Sequence, residues 1–313
     1  MTVNRVVLMG GIGNQLFQYA FAAHLSSVTD SNVILDPNFL AIRLNDSGSP
    51  ELMQFSLSER IEIASKKSEP QVIRRALGLT LRLHLTSRGF LDNAVYQVAR
   101  LITTVLVSAR FRRPIYLCIA SNNGYEKYRY KERNTLYIGY FQTFVYADEI
   151  QSQNQRKQFS IRNPPLSAAR FTELAKAEKP LLVHIRMTDY RNEPKFGILS
   201  KEYYERAIKY QFSRSEYGSI WIFSDEPEIA ASYIPDQYQG IIRNVSNEIS
   251  DTLETLEVMK LAHGYVLANS SYSWWAAFSS YTDTPVVTYP TPWFAQMPEP
   301  SRLFPADWQA IER

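Results

Sequence analysis

Four short clusters in this chain combine the residue types needed to hold and polarise a phosphorylated substrate. In Leu181-Leu182-Val183-His184-Ile185-Arg186-Met187-Thr188-Asp189-Tyr190 an apolar run turns polar at its C-terminal end. Alternation along a strand sets His184 and Arg186 on one face, and the carboxyl ends of strands are where open α/β sheets bind ligands. An arginine there can grip phosphate through two parallel charge-assisted hydrogen bonds. Without a ligand, the same residues read as an Arg186–Asp189 ion pair beside a satisfied core histidine.

Ile220-Trp221-Ile222-Phe223-Ser224-Asp225 is a second apolar run ending in a carboxylate. Asp225 could accept hydrogen bonds from a base or a ribose, or cap the helix that follows. In Ala268-Asn269-Ser270-Ser271-Tyr272-Ser273-Trp274-Trp275 three small polar residues precede an aromatic helix beginning near Tyr272. Hydroxyls and free N–H groups at a helix start form an anion site, whereas capping alone accounts for one of the three; the tryptophans read as core. The fourth cluster, Gly10-Gly11-Ile12-Gly13-Asn14-Gln15, delivers backbone N–H groups and an amide to a helix start. It suits an anion, or is simply a tight strand–helix turn needing positive φ. Leu16 stands where a dinucleotide fingerprint requires its third glycine, and no P-loop Lys-Ser/Thr follows.

The elements that must carry these clusters follow from apolar spacing. A strand over 5–9, a helix over 15–25 with Leu16, Phe17, Ala20, Phe21, Ala23 and Leu25 at helical spacing, and a strand at 33–37 make a β-α-β start. Polarity rises over 151–165 and reaches Pro164-Pro165, the expected linker between domains 1–160 and 161–313. Beyond it a βα rhythm predicts strands at 181–186, 219–224, 241–243, 264–268 and 286–288, with helices at 200–212, 226–232, 250–262 and 272–280.

Residues 71–113 differ in kind: eight arginines (74, 75, 82, 88, 100, 110, 112 and 113) face one acid, Asp92. Apolar residues including Val72, Ile73, Leu77, Val98, Leu101, Ile102 and Val105 recur among them, so the segment reads as basic helices. These either touch anionic lipid or carry solvated arginines.

With 45% hydrophobic and 21% charged residues the composition excludes a disordered chain. A net charge of +3 without a recognition motif gives no reason to expect nucleic acid. Cys118, the one cysteine, excludes internal disulfides, fits a reducing compartment and reads as a small buried residue. The four histidines are scattered and no Asp-x-Asp pair suggests a metal. No apolar run approaches a membrane span, so a cytoplasmic protein is expected.

Together, Gly10-Gly11-x-Gly13-Asn14-Gln15-x-Phe17-Gln18-Tyr19-Ala20, His184-x-Arg186-x-x-Asp189-Tyr190, Phe223-Ser224-Asp225 and Asn269-Ser270-Ser271-x-Ser273-Trp274-Trp275-Ala276 resemble the α-1,2-fucosyltransferase family, glycosyltransferase family 11. The resemblance implies a GT-B-like α/β fold: two Rossmann-like lobes, 1–160 on the acceptor side and 161–313 binding GDP-sugar, with the nucleotide-sugar site in the cleft. It implies inverting transfer of L-fucose from GDP-fucose to a glycan hydroxyl, in α-1,2 linkage onto an oligosaccharide such as an O-antigen, with no cofactor and no divalent metal. Carried over, Arg186 and His184 hold the donor diphosphate, Gly11, Gly13 and Asn14 close on it, Ser270 and Ser271 bind phosphate, Asn269 belongs to the same donor site, and Asp225 contacts the nucleoside.

One departure stands out. The family has His-x-Arg-Arg-Gly-Asp-Tyr, where this chain has Met187 and Thr188 in place of the second arginine and the glycine. Thr188-Asp189 instead resembles the α-1,6-fucosyltransferases, whose catalytic glutamate follows shortly, near Glu193. Arg186 is therefore expected to stabilise the departing GDP. Glu193, or else Asp189, would serve as base, its pKa raised toward working pH by burial in a closed cleft. Transfer from a different nucleotide sugar, or binding without catalysis, are the competing readings. An acceptor carried on lipid at the inner face of a membrane would engage the basic segment 71–113.

Overall fold

A computed structural model describes the chain except residues 1–2, 39–49, 66–70, 87–89, 131–132, 153–158 and 164–166, and the side chains of 85–86, 90–91, 151–152, 167 and 189. The expected linker at Pro164-Pro165 thus lies outside the described residues. The chain divides into two compact units, Met1–Gln158 with Pro300–Leu303, and Phe159–Glu299 with Phe304–Arg313.

The first unit runs β1 (Asn4–Val7), α1 (Ile12–Thr29), β2 (Val33–Asp36), β3 (Ile61–Ile63), α2 (Gln71–Thr86), α3 (Phe90–Phe111), β4 (Tyr116–Ile119), β5 (Thr135–Ile138) and α4 (Phe144–Ser152). Its sheet has the order β3-β2-β1-β5-β4, every pair parallel. Val7, Leu117, Leu136 and Ile138 from the strands pack with Ile73, Leu77 and Val107 from α2 and α3. Buried α1 begins three residues before the expected helix and so absorbs Gly13 and Asn14 into its first turn. The cysteine of β4, Cys118, is half-buried rather than enclosed, and burial, reinforced by Glu126, pushes its thiol up to about 11.

The second unit runs α5 (Ser167–Glu178), β6 (Leu181–Ile185), α6 (Lys201–Arg214), β7 (Ile220–Ser224), α7 (Pro227–Ala230), β8 (Ile242–Asn244), α8 (Thr252–Met259), β9 (Gly264–Val266), α9 (Ser271–Phe278), β10 (Val286–Thr291) and β11 (Gln309–Glu312). All pairs are again parallel, in the order β11-β10-β9-β6-β7-β8. Helix starts are set by side chains: Ser200 accepts from the Tyr203 N–H, Asp251 from Leu253 and Glu254, and Ser270 from Tyr272.

Every expected strand and helix of this unit is present, and three of the differences in extent stand out. The helix over 226–232 is one α-turn continued as a 3-10 turn at Ala231–Tyr233, the helix over 250–262 stops at Met259, and β10 runs on to Thr291. One strand, β11, was not anticipated. Leu181, Val183, Ile185 and Met187 turn toward α6 and join Tyr203, Tyr204, Ala207 and Ile208 in one apolar cluster. Trp274 and Trp275 are core residues, fully buried.

Candidate functional site

In the second unit the chain moves outward from β6 through β7 to β8, then returns to the other side of β6 and continues through β9, β10 and β11. The order therefore reverses between β6 and β9, the place where open α/β sheets leave a crevice at the strand ends. The carboxyl end of β6 carries His184 and Arg186, and the segment after β9 carries Asn269, Ser270 and Ser271, so residues more than 80 positions apart in sequence flank one switch point.

Helix α6 fixes the edge of that crevice. The Tyr203 hydroxyl donates to the Leu267 carbonyl at 2.6 Å and the Tyr204 hydroxyl to the His184 carbonyl at 3.1 Å, pinning the ends of β9 and β6. Both phenols are fully buried, which drives their pKa values far above the ordinary range. Across the crevice the Tyr190 hydroxyl donates to the Asn269 carbonyl at 2.8 Å, and the His184 and Tyr272 rings lie 6.2 Å apart.

Arg186 projects on the face opposite the α6 cluster, about one-third exposed, with its Nε 3.5 Å from Asp225 Oδ2. Asp225 does not cap α7: Glu226 occupies the N-cap position and makes no side-chain cap bond. Instead the two Asp225 oxygens accept the N–H groups of Met187 and Thr188, each at 2.9 Å. The carboxylate at the end of β7 thus clasps the turn leaving β6 and orients the guanidinium. Beside it, Arg191 and Thr188 both bind Glu226.

Met187, which stands where the family pattern has a second arginine, is buried in the α6 cluster. Strand alternation sends residue 187 to the face away from Arg186, so the methionine fills core rather than leaving a gap in the Arg186 face. His184 is buried on the Arg186 face. The side chain of Asp189 lies outside the described residues. Glu193 is half-exposed with Lys195 Nζ at 2.8 Å, so the enclosure expected of it is not present.

Ser270 is the N-cap of α9, its side chain accepting the Tyr272 N–H, and Ser271 opens this eight-residue helix just beyond the β9 end. Asn269 plays a different part, because its buried side-chain amide donates to the Phe196 carbonyl at 2.9 Å and so holds the long segment after β6. Arg313, unforeseen from sequence, reaches the same carbonyl at 3.1 Å. Its guanidinium lies so close to Gly197, whose φ is +71°, that a Cβ there would meet it at 2.5 Å. Burial pushes the Arg313 pKa below its ordinary value, partly offset by Tyr204, Tyr190 and Tyr203.

The first unit has a switch point of its own between β1 and β5. Positive φ falls on Gly10, at 73°, and not on Gly11 or Gly13. The turn is braced from within: Gln15 donates to the Gly10 carbonyl, Gln18 bonds both the N–H and the carbonyl of Met9, and Asn14 Oδ1 accepts from Gln142 at 2.9 Å. Gly11 supplies the cap of α1 with no side chain in the way, and a Cβ there would meet nothing within 4 Å.

This assembly of a fixed arginine, a clasping carboxylate and a helix start at a sheet switch point has the donors to hold an anion such as phosphate. The glycosyl transferase family 11 model matches residues 121–312, which is 192 of the 313 residues and takes in the whole β6–β9 switch point. The chain belongs to glycosyl transferase family 11. Proteins similar to it include the O-antigen biosynthesis glycosyltransferase WbnK of Escherichia coli, 29% identical over 300 residues that cover 92% of this chain and 94% of WbnK. An alpha-1,2-colitosyltransferase of Escherichia coli is 26% identical over 328 aligned positions, covering 98% of both chains. Among solved structures, the glycosyl transferase family 9 protein of Veillonella parvula has a TM-score of 0.50 at 10% identity, over 99% of this chain and 87% of that one, a likeness of fold alone. The fold is thus a GT-B-like α/β fold with two parallel sheets, and this family 11 member is a glycosyltransferase.

Proposed function

We propose that the chain transfers L-fucose from GDP-fucose to a hydroxyl of an oligosaccharide, in α-1,2 linkage, with inversion at the anomeric carbon and without a cofactor or divalent metal. The observation that supports this most is Arg186, held at the β6 end by a carboxylate that also fixes the turn behind it. A guanidinium so preorganised neutralises the diphosphate as GDP departs, the role a metal cation would otherwise fill. The remaining first-turn N–H groups of α9 and the hydroxyls of Ser270 and Ser271 add further donors for phosphate oxygens. His184 backs the same face, and Asp225 acts through the turn and the guanidinium it holds.

As the sugar carbon becomes oxocarbenium-like, the acceptor hydroxyl must lose its proton. Glu193 is the base in this reading, with Asp189 as the alternative, and closure on substrate supplies the burial that Glu193 lacks here. The acceptor is an oligosaccharide such as an O-antigen unit, carried on lipid, and the protein works in the cytoplasm at the inner face of the membrane. Among the described residues no helix is long and apolar enough to cross a membrane.

A second donor is favoured by one observation: a relative aligned over 98% of this chain is a colitosyltransferase. Incubation with a panel of oligosaccharides and either GDP-fucose or another nucleotide sugar separates the two readings, with release of free nucleotide and NMR of the product as readouts. GDP release with a new α-1,2-linked fucose is expected. Turnover with another nucleotide sugar and none with GDP-fucose would overturn the donor assignment.

A further inference from the structure

Helices α2 and α3 form an antiparallel hairpin, shown by the 2.8 Å contact of the Thr80 and Thr103 hydroxyls and by the His84 and Tyr96 rings 5.3 Å apart. One side of the hairpin is already used: Ile73, Leu77 and Val107 cover the first sheet. Its outer side is apolar as well. Val95, Val98, Ile102 and Val105 repeat at i, i+3, i+7 and i+10 along α3 with Leu101 beside them, and Val72 and Leu79 lie one heptad apart on α2. All seven are between 52% and 64% exposed, and they are seven of the thirteen large hydrophobic side chains that stand exposed among the described residues. The other six are scattered along the chain from Val28 to Tyr281. A contiguous exposed apolar face of this kind marks a contact surface.

We infer that this outer face docks on an anionic membrane surface, the apolar stripe entering the headgroup boundary and the arginines meeting lipid phosphates. Charge decides the occupant. The segment 71–113 carries eight arginines and one acid. On α2 the exposed Arg75 and Arg82 alternate with Val72 and Leu79 at the same spacing, and the exposed Arg112 and Arg113 close α3. A second copy packed through the same patch would set arginines against arginines, because a two-fold contact is self-complementary. Arg100 turns back to the sheet and donates to the Leu117 carbonyl, but an anionic leaflet supplies the opposite charge to the four exposed arginines, and an amphipathic helix pair needs no spanning segment to bind it. Contact of this kind would confine the first unit to the surface on which a lipid-carried acceptor resides. The inference deepens the peripheral-membrane part of the proposed function and is independent of which sugar is transferred.

Co-flotation of the full chain with phosphatidylcholine vesicles, with and without phosphatidylglycerol, tests it. Binding is expected with phosphatidylglycerol only, and it should weaken as salt rises. Combined Val98→Ser, Leu101→Ser and Val105→Ser should abolish flotation while leaving the melting temperature and GDP binding unchanged, since these side chains lie outside both the core and the site. Combined Arg75→Gln and Arg112→Gln should lower the partition coefficient about 25-fold, about fivefold per arginine. Absence of wild-type flotation, equal flotation of the serine variant, or a stable dimer that the serine variant dissolves would each overturn the inference. Loss of GDP binding in the wild type would instead overturn the donor reading and leave the flotation result standing.

Discussion

Asp225→Asn is the substitution whose outcome the geometry constrains most closely. The aspartate accepts two backbone N–H groups at 2.9 Å, one on each oxygen, and also holds the Arg186 Nε at 3.5 Å. Asparagine keeps one acceptor and turns an NH2 group toward the second N–H, so one hydrogen bond to a charged group is lost and a donor faces a donor. A hydrogen bond to a charged partner contributes about 1.5–3 kcal/mol, and the carboxylate is only 17% exposed, so little of this is recovered from water. The variant should therefore lose about 1.5–3 kcal/mol in urea denaturation, with the slope unchanged. Because Arg186 remains but is no longer oriented, calorimetric titration should show weaker GDP binding, with a smaller loss than removal of Arg186 itself causes. Guanosine should bind the variant and the wild type alike. A variant with unchanged midpoint and unchanged GDP affinity would refute the clasp, and a variant that loses guanosine and GDP equally would show direct nucleoside contact by Asp225.

Arg186→Ala should slow transfer by about a hundredfold to a thousandfold, the usual effect of removing a preorganised charge contact, and weaken GDP binding; normal turnover would remove Arg186 from the chemistry. Glu193→Gln should leave GDP binding intact and lower kcat, and a variant equal to the wild type in both moves the base to another residue. Arg313→Gln should raise the KM for donor and increase amide exchange in residues 190–197, because the Phe196 carbonyl loses one of its two side-chain donors; unaltered exchange would show that Asn269 suffices. At the opposite end of the same sheet, burial would raise the Glu178 pKa, but hydrogen bonds from Arg243, Trp221 and Ser219 outweigh it and hold the group below its ordinary 4.5. A depressed carboxylate contributes stability that is fully present above its unfolded pKa and is lost as pH falls through the folded one. Thermal melts of the wild type should thus fall more steeply below pH 4.5 than those of Glu178→Gln, and parallel acid limbs would contradict this.

The βα rhythm after residue 180 was legible because buried parallel strands are short continuous apolar runs and the helices between them carry their own caps. Arg186 was legible for the same reason: it is the first charged residue after such a run. Strand β11 was not, since Gln309-Ala310-Ile311-Glu312 is short, half-exposed and lacks a period, and only pairing with β10 makes it a strand. Arg313 was hidden with it. The clasp by Asp225 escaped because it depends on the lateral pairing of β6 with β7, which places residues 38 apart within hydrogen-bond reach. Met187 carried a usable signal, since 181, 183, 185 and 187 share one face by alternation alone. For α2 and α3 spacing gave helices, but apolar residues on two sides left open which side the sheet would cover.

Central to the proposed function is a GDP-specific site that uses side chains instead of a metal to neutralise the diphosphate. Calorimetric titration of the full chain with GDP, UDP and CMP in the presence of a chelator tests that claim most directly. Micromolar binding of GDP alone is the predicted result. Equally weak binding of all three nucleotides, or GDP binding that appears only when a divalent metal is restored, would contradict it.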